Sequence, residues 1–202
     1  MKKALAHLRS VDPVMRELID RVGPYRMRYG PAGYASLLRA IMAQQLSTKA
    51  AATIHGRLVE ACGGKVEPAV VLSLGDERLR AAGISSQKIR YVRDLSEKTL
   101  SGALDFGRLA SMSDQEVLTH LTAVKGVGVW TAQMFMIFAL RRLDVYFPVA
   151  DLGLRNAMQG LYKLPAPVKA ERMLKVAAPW RPYSSVACWY LWRSLDGPAM
   201  LE

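Results

Sequence analysis

Helix-start signals recur along this chain, and they constrain its fold more than any other feature. Asp12 stands directly before a proline, which fits an N-cap followed by proline in the first helical turn. Ser47 and Ser85 precede stretches with helical spacing of apolar residues, and Ser113 with Glu116 has the spacing of a capping box. Few segments show the alternation of a strand. The pattern predicts an all-α protein of about nine to eleven helices with almost no sheet.

The charge of the chain favours a polyanionic partner. Its 202 residues include 28 Lys and Arg against 17 Asp and Glu, which gives a net charge of +11. Nucleic acid is the first candidate, and an anionic membrane surface is the main rival. The longest apolar run, residues 129–140, is too short to span a bilayer and is interrupted by Thr131 and Gln133. We therefore expect a nucleic-acid partner and no membrane association.

The N-terminus and the cysteine content predict a reduced, cytoplasmic protein. The chain begins with two lysines but reaches His7, Arg9 and Asp12 before any long apolar stretch, unlike a signal peptide. Cys62 and Cys188 are its only cysteines. Two thiols are too few for the usual four-cysteine ligation of an iron–sulfur cluster or a structural zinc ion. No iron–sulfur cluster and no required cofactor are expected.

Residues 121–155 join a glycine-punctuated turn, an apolar helix predicted over 127–142 and an acidic residue, Asp151, at the start of a helix predicted over 151–161. Gly126 and Gly128 can both adopt backbone angles that other residues avoid, so the chain can turn tightly there. A helix starting at the turn would aim its first N–H groups at an anion such as phosphate, with Lys125 as a further donor. A Gly-x-Gly turn is also a common connector, and Asp151 is also a plausible N-cap. Together they suggest an enzyme acting on DNA.

Two helical lobes are expected, with the active site in the cleft between them. The central lobe would span residues 35–145 and include the helix-hairpin-helix at 121–142. Residues 1–34 and 146–202 would form the second lobe. Two further helices are predicted in this second lobe, over 168–177 and 182–195.

Residues 121–155 resemble the helix-hairpin-helix, Gly/Pro-loop and aspartate signature of the DNA glycosylase superfamily. Within them, VKGVGVWTA followed by FPVADLGLR is similar to the 3-methyladenine DNA glycosylase II (AlkA-like) branch. Residues 37–58, 79–96 and 179–195 carry further similarity, so the resemblance covers nearly the whole chain from about residue 10. It implies the two-lobed helical fold of that family.

The resemblance also assigns roles to particular residues. Asp151 falls on the catalytic aspartate, and Gln45 falls on the side chain that wedges into the duplex. Trp130 stands where strand-cleaving members carry a Schiff-base lysine, which implies base removal without strand cleavage. The base pocket would be lined by Trp130, Trp189 and Met134; Lys125 and the amides of Gly126, Gly128 and Thr131 would face phosphate; and the carbonyl groups of Thr122, Val124 and Val127 would hold a monovalent cation, Na⁺ or K⁺.

Three departures from the family pattern concern the range of accepted bases. Ala150 stands where some relatives have a second acidic residue, and Met134 stands where some have a tyrosine. Larger relatives also have an N-terminal domain that this chain is expected to lack.

The implied function is a monofunctional DNA glycosylase for base excision repair. It would flip an alkylated purine of the 3-methyladenine or 7-methylguanine type out of double-stranded DNA, and Asp151 would stabilise the oxocarbenium ion as the base leaves. A monomer is expected. One alternative is a non-catalytic helix-hairpin-helix protein that binds damaged DNA, and another is a glycosylase for deaminated or oxidised bases.

Overall fold

The computed structural model describes residues 1–195. Within that range it contains twelve α-helices, two short 3₁₀-helices (Leu109–Ser111 and Ala178–Trp180) and no strands, which confirms the all-α prediction. The helices are α1 Lys2–Val11, α2 Pro13–Val22, α3 Tyr34–Ala43, α4 Thr48–Ala61, α5 Pro68–Ser73, α6 Asp76–Ala81, α7 Ser86–Leu100, α8 Asp114–Thr122, α9 Val129–Phe138, α10 Leu152–Leu161, α11 Ala170–Ala177 and α12 Ser184–Arg193.

The helix caps predicted at Asp12, Ser47 and Ser85 are all present. The Asp12 carboxylate accepts a hydrogen bond from Met15 N at 3.0 Å, with proline in the first turn of α2. The hydroxyls of Ser47 and Ser85 accept from the amides of Ala50 and Lys88 at the starts of α4 and α7. Each such cap satisfies a backbone donor that the helix itself leaves unpaired, and contributes about 1 kcal/mol.

The capping box at the start of α8 is also present. The Ser113 hydroxyl accepts a hydrogen bond from Glu116 N at 3.3 Å, and the Glu116 carboxylate accepts one from Ser113 N at 2.8 Å. This reciprocal pair fixes the start of the helix that leads into the glycine turn.

The chain divides into two compact units. The central unit is Gly30–Leu140, and the terminal unit combines Met1–Tyr29 with the described residues from Arg141 onward. The lobes expected from the sequence had boundaries at residues 35 and 145, so each unit boundary lies about five residues earlier along the chain.

Helix α7 organises the central unit, because α3, α5 and α6 all pack against it. Its side chains Ile89, Val92 and Leu95 are buried, at a spacing that places them on one side of the helix. Burying a side chain of this size stabilises the fold by about 1.5–3 kcal/mol. The neighbouring positions of α7 are therefore held firmly in place.

The terminal unit has its own apolar core. Helices α1 and α2 pack together, and α12 packs against both α2 and α10. The core is centred on the fully buried Trp180 and Tyr190. Across residues 1–195, no helix is both long enough and apolar enough to cross a membrane.

Candidate functional site

The glycine turn lies between α8 and α9 in the central unit. Gly126 has φ of 81°, in the left-handed region that favours glycine. A Cβ atom at this position would lie 2.2 Å from Cδ2 of Tyr91, because the tyrosine ring of α7 covers the turn. Glycine is therefore required at position 126 by both the backbone angle and the available space.

Gly128 differs from Gly126. It is the N-cap of α9, with φ of −87° and ψ of 174°, an extended conformation that any residue adopts. Apart from its two chain neighbours, no residue comes within 4 Å of where its Cβ would be. The expectation that both glycines use special backbone angles is thus correct only for Gly126, and Gly128 instead leaves open space at the start of the helix.

Helix α9 is shorter than the predicted 127–142. The Val127 amide donates to the Val124 carbonyl at 3.0 Å, so it belongs to the turn, and the helix begins at Val129. The first hydrogen bond of its ladder joins Ala132 N to Gly128 O at 3.0 Å. The amides from Gly128 to Thr131 precede this ladder, and such amides form the positive end of a helix and suit an anion.

Lys125 is anchored by Asp94 of α7. Its amide donates to Asp94 Oδ2 at 2.9 Å, and its Nζ lies 3.6 Å from Asp94 Oδ1. The Lys125 side chain is nevertheless 70% exposed, so it remains able to reach a phosphate beside the turn. The amide of Lys125, in contrast, is already used within the protein.

The pKa of Asp94 is lower than usual. Burial of the carboxyl group raises this pKa, but hydrogen bonds from the Lys98 ammonium and the Lys125 amide outweigh the effect of burial. The Lys98 Nζ lies 2.8 Å from Asp94 Oδ1. Asp94 therefore acts as a buried anion that fixes the turn from the side of α7.

The carbonyl groups of Thr122, Val124 and Val127 lie along the same turn. Residues 122–128 together line a shallow depression of about 460 Å³. Backbone oxygens are hard donors of the kind that alkali cations prefer, and the last carbonyls of α8 lie beyond its ladder. Among residues 1–195, no group of three or more His, Cys, Asp or Glu side chains could hold a metal ion, and Cys62 and Cys188 are both buried thiols.

Four of the predicted site residues meet around one cavity of the central unit. Gln45, Trp130 and Met134 line a space of about 560 Å³, together with the buried Thr131. Trp130 is 41% exposed although it lies on an apolar helix. The cavity is large enough for a small ligand and has an aromatic wall, which suits a nucleobase.

Gln45 occupies an unusual backbone conformation next to this cavity. It follows the end of α3, is exposed, and has φ of 58° without being glycine. A second, smaller cavity of about 230 Å³ is also lined by Gln44, Gln45 and Leu46. The turn that carries Gln45 thus borders two depressions of the central unit.

Asp151 is the N-cap of α10 in the terminal unit. Its Oδ1 accepts hydrogen bonds from Leu154 N at 2.8 Å and from the Trp192 indole Nε1 at 3.0 Å. The residue is only 8% exposed, and burial together with the negative charge of Asp151 raises the pKa of the neighbouring Cys188 thiol. The cap fixes the position of a nearly buried carboxylate, which a catalytic role also requires.

Trp189 lies at the edge of the terminal core on α12. Its ring centroid is 4.8 Å from that of Tyr25 and 4.8 Å from that of Tyr190, and its side chain is half-buried. Core packing, the plainer interpretation, thus describes part of its surface. Trp192, the partner of Asp151, lies three residues after Trp189. The two indoles are therefore on the same side of α12.

Some residues at these sites have no local sequence signal. Trp192 lies within the similar segment 179–195, but nothing about its spacing marks it as the partner of Asp151. Lys88 and Asp94 look like ordinary charges on an exposed helix face, yet they hold the Gln45 turn and the glycine turn. These contacts join residues far apart in the chain, so only the folded structure reveals them.

Comparison with known proteins agrees with the function that this geometry suggests. Residues 38–182 match the model of the HhH-GPD superfamily of base excision DNA repair proteins. DNA-3-methyladenine glycosylase 1 of Schizosaccharomyces pombe is 34% identical over 200 residues, which cover 96% of this chain and 87% of that protein. The chain also shares 31% identity with the alkylbase DNA glycosidase-like protein mag2 of the same organism, covering 95% of this chain and 92% of that protein.

Solved structures give the same result. The crystal structure of DNA-3-methyladenine glycosidase from Bacillus halodurans aligns with a TM-score of 0.88 and 37% identity, covering 98% of this chain and 91% of that one. The S. pombe 3-methyladenine DNA glycosylase in complex with abasic DNA aligns with a TM-score of 0.83 and 35% identity, covering 95% and 96% of the two chains.

The helical fold and the glycine turn between α8 and α9 define a helix-hairpin-helix protein. With the family match over residues 38–182, the chain belongs to the HhH-GPD superfamily of base excision DNA repair proteins.

Proposed function

We propose that this protein is a DNA glycosylase that hydrolyses the N-glycosidic bond of alkylated purines in double-stranded DNA, as the first step of base excision repair. The observation that carries the proposal is the nearly buried Asp151 carboxylate, fixed by Leu154 N and Trp192 Nε1. Relatives named DNA-3-methyladenine glycosylase support the substrate class. The reducing compartment that holds the DNA, the cytoplasm, suits its two free thiols.

Asp151 supplies the charge that this reaction needs. A purine methylated at N3 or N7 is already cationic, so it can leave without a strong general acid. Positive charge then develops on the sugar, and an ionised Asp151 stabilises it and orients the attacking water. A single carboxylate suffices because the leaving group is already activated.

The cavity beside Trp130 provides selectivity for the flipped base. The electron-rich indole attracts a cationic base more strongly than a neutral one, by roughly 0.5–2 kcal/mol per contact. Met134 adds a polarisable wall to the same cavity. Trp189 is a second aromatic surface for the base, in the terminal unit.

The absence of a lysine at position 130 supports a glycosylase without strand cleavage. A Schiff-base mechanism needs an amine at the sugar, and an indole cannot form that bond. We propose that the enzyme is monofunctional and of the type II specificity, releasing both 3-methyladenine and 7-methylguanine.

The glycine turn grips the DNA backbone. The amides of Gly126, Gly128 and Thr131 and the Lys125 side chain donate hydrogen bonds to phosphate oxygens. The open space over Gly128 allows the DNA backbone to approach closely. The carbonyl groups of Thr122, Val124 and Val127 suit a bound Na⁺ or K⁺, which would offset their partial negative charge next to the phosphates. The enzyme acts as a monomer and needs no other cofactor.

The test is a panel of duplexes that carry single lesions. The purified protein is incubated with 3-methyladenine, 7-methylguanine, ethenoadenine and hypoxanthine substrates, and the released bases are separated by chromatography. Release of the two cationic bases is expected to be faster than release of hypoxanthine. A protein that binds these duplexes but releases no base would refute the glycosylase and favour the non-catalytic alternative.

Borohydride trapping tests the monofunctional assignment separately. A Schiff-base intermediate would be reduced to a stable covalent complex with DNA, visible as a slower band on a denaturing gel. No such complex is expected during base release. Efficient trapping would show a lyase and would contradict the assignment from Trp130.

A further inference from the structure

The turn at Gln45 is held in a conformation that its own sequence does not favour. With φ of 58°, Gln45 is in the left-handed region, which residues other than glycine, asparagine and aspartate rarely occupy. Such a conformation persists only where the surroundings fix it. The contacts around this turn should therefore reveal what fixes it.

Lys88 of α7 is the first of these contacts. Its Nζ donates to the carbonyl oxygen of Met42 at 2.8 Å and to that of Gln44 at 2.7 Å. Gln44 directly precedes Gln45, and Met42 lies three residues before it in the last turn of α3. Lys88 is partly buried, and desolvation lowers the pKa of its ammonium group. Lys88 thus binds backbone oxygens of the protein, whereas a phosphate-binding lysine extends its ammonium group into solvent.

The Gln44 side chain is the second contact. Its amide nitrogen donates to the Gly126 carbonyl at 2.9 Å and to the Thr131 hydroxyl at 3.2 Å. The Gln44 side chain thereby links the turn before Gln45 to Gly126 in the glycine turn and to Thr131 in α9. These residues are 82 and 87 positions further along the chain.

Helix α7 holds the glycine turn as well. The Tyr91 ring covers Gly126, and Asp94 accepts the Lys125 amide. Lys88, Tyr91 and Asp94 follow one another at intervals of three residues, which places them along one side of the helix. The Gln45 turn and the glycine turn are therefore both held by the same side of α7.

We propose that Lys88 and Gln44 are positioning residues that lock Gln45 in its left-handed conformation, ready to enter the duplex, and that they tie this insertion to the grip of the glycine turn on the DNA backbone. The inference rests on the proposed function, in which Gln45 fills the gap left by the flipped base. Lys88 acts through Gln45 and contacts no DNA itself.

The test is a double-mutant cycle on a duplex that contains a stable tetrahydrofuran abasic-site analogue, with 2-aminopurine opposite it. This probe needs no base release, so it reads insertion separately from catalysis. Lys88→Met keeps the aliphatic stem but removes the ammonium group. Gln45→Gly removes the inserting side chain while accepting a positive φ without strain.

Each single variant is expected to bind the abasic duplex about tenfold more weakly, a loss of about 1.4 kcal/mol, with a smaller change in 2-aminopurine emission. The double variant should bind within about twofold of Gln45→Gly alone, because Lys88 has nothing left to position. Gln44→Met, which leaves Lys88 intact, should behave like Lys88→Met, and it replaces that variant if melting shows that Lys88→Met does not fold.

Salt dependence separates positioning from phosphate contact. A lysine that neutralises a phosphate contributes about 0.9 to the slope of log affinity against log salt concentration. Lys88→Met should leave this slope unchanged, as should the matched control Lys65→Met, which removes the same charge from an exposed position. A slope that falls by about 0.9 in Lys88→Met, or losses that add in the double variant, would overturn the proposal.

Failure of the proposed function gives a different result. If the wild-type protein releases no alkylated base but the cycle is non-additive on the abasic duplex, the glycosylase is refuted and the positioning role stands. If base release is normal and Gln45→Gly binds the abasic duplex like the wild type, the positioning proposal is refuted alone.

Discussion

Replacing Asp151 by asparagine should separate catalysis from folding. Asparagine keeps an oxygen that can accept the hydrogen bonds from Leu154 N and Trp192 Nε1, now 2.8 and 3.0 Å from Asp151 Oδ1. Asparagine and aspartate are also similar as N-caps. The melting temperature of Asp151→Asn should therefore stay close to that of the wild type, while the negative charge is lost.

The expected loss of rate follows from the charge alone. A carboxylate about 4 Å from the developing sugar cation, at an effective dielectric constant of about 20, stabilises it by about 4 kcal/mol. Each 1.36 kcal/mol of barrier corresponds to about a factor of ten in rate. Release of 3-methyladenine by Asp151→Asn should thus be slower by about a thousandfold under single-turnover conditions.

Asp12 provides a matched control in the same unit. It is also a buried N-cap that accepts an indole hydrogen bond, from Trp180 Nε1 at 2.7 Å, and it accepts a further one from the Tyr162 hydroxyl at 2.8 Å. Asp12→Asn should lose stability by about 1–3 kcal/mol. Met15 N donates to Asp12 Oδ1, whereas Tyr162 and Trp180 donate to Oδ2, so in either orientation of the amide a donor meets nitrogen in place of oxygen. Its rate per folded molecule should be unchanged.

The combined result decides the role of Asp151. Chromatography of the bases released from methylated DNA gives the rates, and thermal unfolding gives the stabilities. If Asp151→Asn releases 3-methyladenine within about threefold of the wild-type rate, an electrostatic contribution of this size is absent, and the carboxylate is only a cap.

Three further predictions concern the central unit. Gly126→Ala should destabilise the protein by at least about 1–2 kcal/mol because of its positive φ and the Tyr91 ring, whereas Gly128→Ala should melt normally but bind DNA more weakly; equal melting temperatures would contradict this account. Trp130→Ala should reduce the preference for 7-methylguanine over hypoxanthine by roughly 2- to 30-fold, and an equal loss on both bases would indicate packing instead. Because the pKa of Asp94 is lowered in the folded state, its contribution is present above the unfolded pKa of about 3.9 and is lost as pH falls through the folded value. In melting scans from pH 7 to pH 3, Asp94→Asn should therefore lose less stability on acidification than the wild type, and parallel curves would count against the anchoring role.

Helix starts could be predicted from the sequence because capping is a contact between close neighbours. Ser47, Ser85 and the pair Ser113 and Glu116 make the bonds that their spacing predicts. The lengths of the helices were harder to predict from the sequence. The apolar run around α9 has no side-chain cap at its start, and the turn closed by Val127 N and Val124 O delays the helix to Val129.

The short helices α5 and α6, of six residues each, were not predicted. A helix of this length is unstable alone and forms only because it packs on another element, here α7. Its sequence therefore shows too few turns for a helical period to be recognised.

The candidate site divides in the same way. Gly126 and Asp151 belong to a local motif, so their places could be predicted. The hydrogen bonds of Lys88 and Gln44 depend on side chains that meet across 44 to 87 residues of chain. A lysine on a helix and a glutamine before a turn have no local pattern that distinguishes such roles from solvation.

Asp12 and Asp151 show why a local motif alone cannot identify a catalytic carboxylate. Both are buried N-caps bonded to a tryptophan indole, and they are almost equally buried, at 7% and 8% exposed. Asp12 bonds to Trp180, which is 0% exposed, and to the partly buried Tyr162. Asp151 stands next to Leu152, which is 66% exposed, and bonds to the only partly buried Trp192. The cap and the burial therefore do not distinguish the two carboxylates, and the rates of Asp151→Asn and Asp12→Asn are what separates a catalytic aspartate from a structural one.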